Sequence, residues 1–218
     1  MKQPVALFDL DGVILDTETQ YSDFWNGIGR SYYPEMPQFA NQIKGQTGKY
    51  IFSHYFTEEG AKERVLAELV EFEKQMTYDF VPGAEHFLME LKQQQVPRAV
   101  VTSSDRKKMS RVFAAHPSFE DLFSHIFTAE DFTRSKPDPD CYLKGASFFQ
   151  VPVEQCFVFE DSINGLKAGR NAGMTVIGLA TTFPESEIQS LCDVSIPDFS
   201  RFNYDTFCTL FSRLNGKP

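Results

Sequence analysis

The sequence predicts an α/β protein with a doubly wound parallel sheet, a Rossmann-like core, and an inserted helical domain. From residue 81 onward, short apolar runs alternate with helical patterns, which is typical of a parallel sheet covered by helices on both faces. The apolar run that begins at Val5 has the composition of a buried parallel strand. Residues 17–80 show helical periodicity and no convincing strand. We therefore predict a core formed by residues 1–16 and 81–218 and a helical domain formed by residues 17–80.

The composition is that of a folded protein with an acidic surface. The 218 residues are 42% hydrophobic and 23% charged, enough to bury a substantial core. The net charge of −9 and the pI near 5.0 argue against electrostatic binding of nucleic acid. The four cysteines lie far apart without a CxxC pair, so we expect a reducing compartment.

The N-terminus and the hydropathy pattern indicate in which cellular compartment we expect the protein. Residues 1–4 lead directly into the first apolar run and leave no room for a signal peptide. No apolar run reaches the length of a membrane span. We expect a cytoplasmic protein that binds neither membrane nor nucleic acid, as a monomer or a weak homodimer.

The helical domain is predicted from three features. Asp16-Thr17-Glu18 has the residues of a helix start. The clearest helical stripe runs over 58–76, with apolar residues at spacings of three and four and acids at its N-terminal end. A loop with two glycines lies at 45–49. The domain's many aromatic residues are typical of the core of a small helical domain.

In the second part of the chain, helices and strands follow in turn. Helices are expected after Pro82-Gly83, after Thr102 and from Asp138-Pro139, where proline suits the first turn. A stripe of small residues at 165–172 lets another helix lie close on the sheet. Five strands are predicted, at Arg98–Val101, 126–127, 156–159, Thr175–Leu179 and Val194–Ile196.

Two carboxylates follow the first apolar run. Side chains at i and i+2 of an extended chain share one side, roughly 7 Å apart. Asp9 and Asp11 therefore point together beyond the carboxyl end of the strand, where open α/β sheets bind their ligands. Two such anions repel unless a cation lies between them, and hard oxygen ligands suit Mg²⁺. Taken alone, the same residues also fit a strand that ends in a polar turn.

Further polar residues follow other strands. Thr102 and Ser103 follow the second strand, Glu160 and Asp161 follow the fourth, and Lys136 lies in a loop. Individually these residues fit helix caps, a solvated surface charge and an acidic helix start. Together they place carboxylates, hydroxyls and one ammonium at the edge of the sheet where this architecture binds ligands.

These motifs resemble those of the haloacid dehalogenase superfamily, in the subgroup whose helical cap is inserted after the first strand. The resemblance spans nearly the whole chain, and it implies an Mg²⁺-dependent phosphatase of a small phosphorylated metabolite, such as a sugar phosphate. The motifs, in order, are Phe8-Asp9-Leu10-Asp11-Gly12 with Asp16-Thr17, Val101-Thr102-Ser103-Ser104, Lys136-Pro137-Asp138-Pro139 and Phe159-Glu160-Asp161-Ser162.

The resemblance implies roles for the acidic residues. Asp9 would be the nucleophile that forms an aspartyl phosphate. Asp11 would protonate the leaving alcohol and then deprotonate the attacking water. Asp9, Asp11, Glu160 and Asp161 would hold Mg²⁺, with Asp11 also contributing its backbone carbonyl. An acid at the position of Asp11 implies a phosphoester substrate, because the dehalogenases and phosphonate-cleaving members lack one there.

The resemblance also implies a phosphate site and a substrate loop. Thr102 and the backbone N–H of Ser103 would bind the phosphoryl group, and Lys136 would neutralise Asp9 and the developing charge, so that Thr102 and Lys136 also count as catalytic. The loop at 45–49, with Gly45, Thr47 and Lys49 as candidate substrate contacts, resembles the cap loop that reaches toward substrate in this subgroup. A plain turn between helices fits that loop equally well.

A phosphosugar mutase of the β-phosphoglucomutase type is the alternative function. The first motif resembles that of these isomerases closely. They usually carry histidine at the position of Tyr21 and arginine at that of Gly48, and neither is present here, although Lys49 lies beside the second position. The resemblance therefore favours a hydrolase.

Overall fold

Six parallel strands form the centre of the computed structural model, which describes residues 3–215. The predicted α/β fold class and all five later strands are confirmed. The strands run in the order β3-β2-β1-β4-β5-β6, and every neighbouring pair is parallel. They are β1 (Val5–Phe8), β2 (Arg98–Val101), β3 (His125–Phe127), β4 (Cys156–Glu160), β5 (Thr175–Leu179) and β6 (Val194–Ile196).

The order of the strands creates a crevice beside β1. The chain adds β2 and β3 on one side of β1 and β4 to β6 on the other. In open α/β sheets, ligands bind beyond the carboxyl ends of the strands at such a switch point. The residues that directly follow β1, β2 and β4 therefore face the same crevice.

The strands carry helices on both sides. The helix predicted over 58–76 is shorter, because Gly60 adopts φ 73° directly before it and so cannot continue the helix. The helices are α1 (Glu18–Tyr32), α2 (Phe39–Ile43), α3 (Gly48–Tyr55), α4 (Ala61–Glu73), α5 (Ala84–Gln93), α6 (Arg106–Ala115), α7 (Asp140–Phe149), α8 (Ile163–Asn171), α9 (Glu185–Ile188) and α10 (Tyr204–Asn215).

Two apolar clusters cover the two faces of the sheet. Since successive strand residues point to opposite faces, Phe8 of β1 belongs to one cluster and Leu7 to the other. The Phe8 ring stacks on Phe159 of β4 with centroids 4.5 Å apart, and α5, α6 and α10 cover this face. Helices α7 and α8 cover the opposite face. Burial on both sides explains the uninterrupted apolar runs of β1 and β4.

Helices α1 to α4 contain a third apolar cluster. Its buried members include Trp25, Phe39, Phe52 and Phe56, so these aromatic residues form a core, as expected. The cluster and the residues packed on it lie between positions 21 and 69, inside the predicted helical domain. The boundaries at 16/17 and 80/81 stay a prediction, and residues 1–2 and 216–218, also assigned to the core domain from the sequence, lie outside the described residues.

Among the helices described between residues 3 and 215, none is both long enough and apolar enough to cross a bilayer.

Two leucines in neighbouring helices provide a matched test of how the helices pack. Leu166 of α8 is fully buried against the sheet, whereas Leu143 of α7 is 41% exposed. Leu166→Ala should lower the free energy of unfolding by about 2–5 kcal/mol, because the cavity it leaves cannot be filled. Leu143→Ala should cost less than about 1 kcal/mol. Urea unfolding of both variants measures the difference, and equal losses would contradict this packing.

Candidate active site

The carboxyl ends of three adjacent strands bring the predicted polar residues together. Asp9 follows β1, Thr102 follows β2, and Glu160 ends β4 with Asp161 next to it. Lys136 reaches the same place from the loop before α7. All five side chains are buried, which polar groups tolerate only when they are paired or bind a ligand.

Lys136 lies between two carboxylates. Its Nζ donates to Asp9 Oδ1 at 2.7 Å, to Glu160 Oε1 at 2.6 Å and to the carbonyl of Val101 at 3.3 Å. Burial alone would lower the pKa of Lys136, but the charges of Asp9 and Glu160 raise it above its ordinary value. The Lys136 ammonium is therefore in direct contact with Asp9.

Three carboxylates meet in this edge of the sheet. Oxygens of Asp9, Glu160 and Asp161 lie within 4.8 Å of one another. Burial, followed by the charges of Glu160 and Asp11, raises the pKa of Asp9 to about 7 even though Lys136 opposes this. Burial and the neighbouring carboxylates likewise raise the pKa of Asp161 well above its usual range.

This donor set fits a divalent cation. The three acids carry more negative charge than Lys136 alone neutralises, and their ligand atoms are all hard oxygens of the kind that Mg²⁺ prefers. Glu160 is itself held firmly, because Tyr142 donates to its Oε1 at 2.8 Å and the N–H of Ser162 donates to its Oε2 at 3.1 Å. The sequence motif thus yields a prearranged group of carboxylates that a cation would stabilise.

The structure holds the Asp11 carboxylate apart from these three acids. Thr17 and Lys108 both donate to its Oδ1, and Ser104 Oγ donates to its Oδ2 at 2.9 Å. Burial opposes its ionisation, but the charge of Lys108 and these hydrogen bonds lower the pKa of Asp11 below its ordinary value. Asp11 is therefore a carboxylate, and its contribution to metal binding stays a prediction.

The two hydroxyl residues after β2 have different partners. Thr102 Oγ1 accepts a hydrogen bond from the N–H of Ser104 at 3.0 Å. Ser103 Oγ donates to the carbonyl of Gly45 at 2.9 Å. The N-cap of α6 is Asp105, which accepts from the N–H of Lys108 at 2.8 Å, so neither hydroxyl caps that helix.

The loop predicted at 45–49 is shorter in the structure, because Thr47 caps α3 and Gly48 and Lys49 belong to that helix. Its remaining residues lie against the core. Besides the contact from Ser103 to Gly45, Thr47 Oγ1 and Ser135 Oγ share a hydrogen bond of 2.6 Å. Asn164 Nδ2 donates to the carbonyl of Lys44 at 2.8 Å. The loop is therefore both an interhelical turn and a contact between the helical region and the site. Lys49, in the first turn of α3, is exposed and is among the residues that line the cavity.

A cavity of about 910 Å³ opens from the carboxylates toward the helical region. Asp9, Asp11 and Thr102 line its core side, and Trp25 and Phe52 are among the residues on the opposite side. Its volume and its mixed lining are typical of a site for a small molecule.

Several residues at this site were not predicted from the sequence. Lys108 pairs with Asp11, Thr182 donates to Asp161 Oδ2, and Glu18 forms an ion pair of 3.8 Å with Lys44. Burial, with the charge of Asp11, raises the pKa of Glu18 to about 7. No spacing in the sequence distinguishes Lys108 from its neighbour Lys107, because only the packing of α6 decides which of the two faces inward.

Comparison with known proteins agrees with these motifs. A family model described as haloacid dehalogenase-like hydrolase matches residues 6–179. The validoxylamine A 7'-phosphate phosphatase of Streptomyces hygroscopicus subsp. limoneus is 30% identical over 209 residues, covering 92% of this chain and 96% of the relative. A probable pseudouridine-5'-phosphatase of Drosophila melanogaster is 32% identical over 187 residues, 79% of each chain.

A solved structure shows the same fold. β-Phosphoglucomutase from Clostridium difficile superposes with a TM-score of 0.79 at 21% identity, covering 99% of this chain and 100% of that one. Since the family model matches most of the sequence, the protein belongs to the haloacid dehalogenase-like hydrolases.

Proposed function

We propose that this protein is an Mg²⁺-dependent phosphatase that hydrolyses the monoester of a small phosphorylated metabolite, with a sugar phosphate as one candidate. The observation that carries this proposal is the Asp9 carboxylate, which contacts Lys136 at 2.7 Å, belongs to the group of three acids and faces the cavity. The phosphatases among the relatives support the same reaction class.

In the first half of the proposed reaction, an Asp9 oxygen attacks phosphorus and the bond to the leaving oxygen breaks. Lys136 offsets the charge of Asp9, while Thr102 and the N–H of Ser103 bind the phosphoryl oxygens. Asp11, which must carry a proton in the substrate complex for this step, gives that proton to the leaving alcohol and becomes the carboxylate seen in the structure. Mg²⁺ held by Asp9, Glu160 and Asp161, with the Asp11 carbonyl, would neutralise charge on the phosphoryl group.

In the second half, water attacks phosphorus and phosphate leaves Asp9. Asp11 takes the proton from this water as the new bond forms. The lowered pKa of Asp11 suits this step, because a general base must be ionised before it accepts a proton.

Substitution of the nucleophile tests the proposed intermediate. Asp9→Asn should fold normally and lose essentially all phosphate release, because the amide is a poor nucleophile. Asp205→Asn, at an exposed position of α10, should keep full activity. Phosphate assays on protein freed of deamidated material measure both variants, and appreciable turnover by Asp9→Asn would reject the assignment.

Removal of the metal tests the group of three acids. EDTA should abolish activity and Mg²⁺ should restore it, whereas Ca²⁺ should not, since its looser coordination misplaces nucleophile and phosphorus. Asp161→Ala should weaken Mg²⁺ binding in calorimetric titrations. Full activity in rigorously chelated buffer, or an unchanged titration by Asp161→Ala, would argue against this site.

The last test distinguishes a hydrolase from a mutase. Both form a phosphoenzyme at Asp9, which is attacked by water in a hydrolase and by a sugar hydroxyl in a mutase. A mutase must exclude water by closing its cap over the sugar. Tyr21 and Gly48 replace the two cap residues that mark mutases, so we expect water to attack. With β-glucose 1-phosphate and a trace of glucose 1,6-bisphosphate, the product should be free phosphate if this sugar is accepted. A coupled glucose 6-phosphate dehydrogenase assay and a phosphate assay, run side by side, measure the two products. Formation of glucose 6-phosphate many times faster than release of free phosphate would favour the mutase.

A further inference from the structure

Lys108 connects the Asp11 carboxylate with the helical region. This lysine of α6 is only 3% exposed, which is rare for its residue type. Its Nζ forms an ion pair with Asp11 Oδ1 and lies 4.2 Å from the centroid of the Tyr21 ring in α1. One ammonium thus has a carboxylate on one side and an aromatic face on the other.

The three donors to Asp11 are not equivalent. Thr17 and Ser104 donate through short neutral hydroxyls from segments next to β1 and β2. Lys108 alone among them carries a charge, and hydrogen bonds between ionised groups are shorter and stronger than those between neutral groups. Its loss would leave a buried carboxylate without a counter-charge. We therefore expect Lys108 to determine the orientation of Asp11 more than either hydroxyl does.

The Tyr21 ring that covers Lys108 is itself fixed. Its hydroxyl donates to Glu73 Oε1 at 3.1 Å, at the end of α4. Glu73 Oε2 forms an ion pair with Arg111, which lies three positions after Lys108 in α6. Two cations on one side of α6 thus hold α1 and α4 against the core, directly beside Asp11.

We propose that Lys108 is a positioning residue for the hydrolytic half of the reaction, in which it orients the Asp11 carboxylate toward the attacking water. In that step the water oxygen bonds to phosphorus, its proton passes to Asp11, and the bond from phosphorus to Asp9 breaks with its electron pair on the Asp9 oxygen. This inference rests on the proposed phosphatase function. Lys108 contacts Asp11, whereas the ammonium in contact with Asp9 is Lys136.

The substrate p-nitrophenyl phosphate separates the two halves of the proposed reaction. Its leaving group, nitrophenolate, needs no proton from Asp11, so the transfer of the phosphoryl group to Asp9 does not depend on the orientation of Asp11. Lys108→Met should therefore still transfer the phosphoryl group to Asp9. In stopped-flow experiments with Mg²⁺, we expect a burst of about one equivalent of nitrophenolate per enzyme, followed by steady-state turnover roughly 100-fold slower than in the unmodified protein. Mass spectrometry of the acid-quenched variant should show accumulated phosphoenzyme.

Two further variants make the test specific. Lys108→Gln keeps a hydrogen-bond donor without the charge and should also give a burst followed by slow turnover. Lys107→Met removes an exposed neighbouring lysine of the same helix and should behave like the unmodified protein. Turnover by both Lys108 variants within about threefold of the unmodified protein overturns the proposal. Slow turnover without a burst also overturns it, because the loss then lies in the first half or in the fold.

A failure of the proposed function gives a different result. If Asp9→Asn releases nitrophenolate as fast as the unmodified protein, the phosphoenzyme itself is refuted, whatever the Lys108 variants do. If Asp9→Asn is inactive while the Lys108 variants show no burst, the phosphatase assignment stands and only the role of Lys108 is rejected.

Discussion

The site depends on a buried electrostatic imbalance. Asp9, Glu160 and Asp161 meet beyond the carboxyl ends of β1 and β4, and Lys136 neutralises only part of their charge. Buried carboxylates in this number are costly unless cations compensate them. A divalent cation would offset this cost, because the site contains one fixed ammonium and an excess of carboxylate oxygens. Burial, together with this imbalance, raises the pKa values of Asp9 and Asp161.

The topology of the sheet makes this imbalance possible. β1 lies between β2 on one side and β4 on the other, so the residues that follow these strands converge, although Asp9 and Asp161 are 152 positions apart in the chain. The apolar clusters on both faces hold the strands rigidly, with the Phe8 and Phe159 rings stacked directly behind the acids. A rigid support of this kind keeps charged groups close together where flexible loops would let them separate.

Most of the fold and the central part of the site could be predicted from the sequence. The apolar runs of β1 and β4 are continuous, and acidic residues follow β1 and end β4, so their meeting follows from the rules of α/β topology. The partners of Asp11 could not be predicted in this way. Lys108 and Lys107 are chemically identical in the sequence, and only the rotation of α6 buries one of them. Likewise, the contact of Ser103 with Gly45 depends on how the helical region packs on the core.

The central claim is that the phosphoryl group passes through Asp9, and the most direct measurement identifies the residue that carries it. The protein would be quenched with acid while it turns over p-nitrophenyl phosphate, reduced with borohydride, which converts an aspartyl phosphate to homoserine, and digested for peptide mass spectrometry. We predict homoserine at position 9 and at no other aspartate. Homoserine at a different aspartate, or turnover with no modified residue in repeated rapid quenches, would contradict the account.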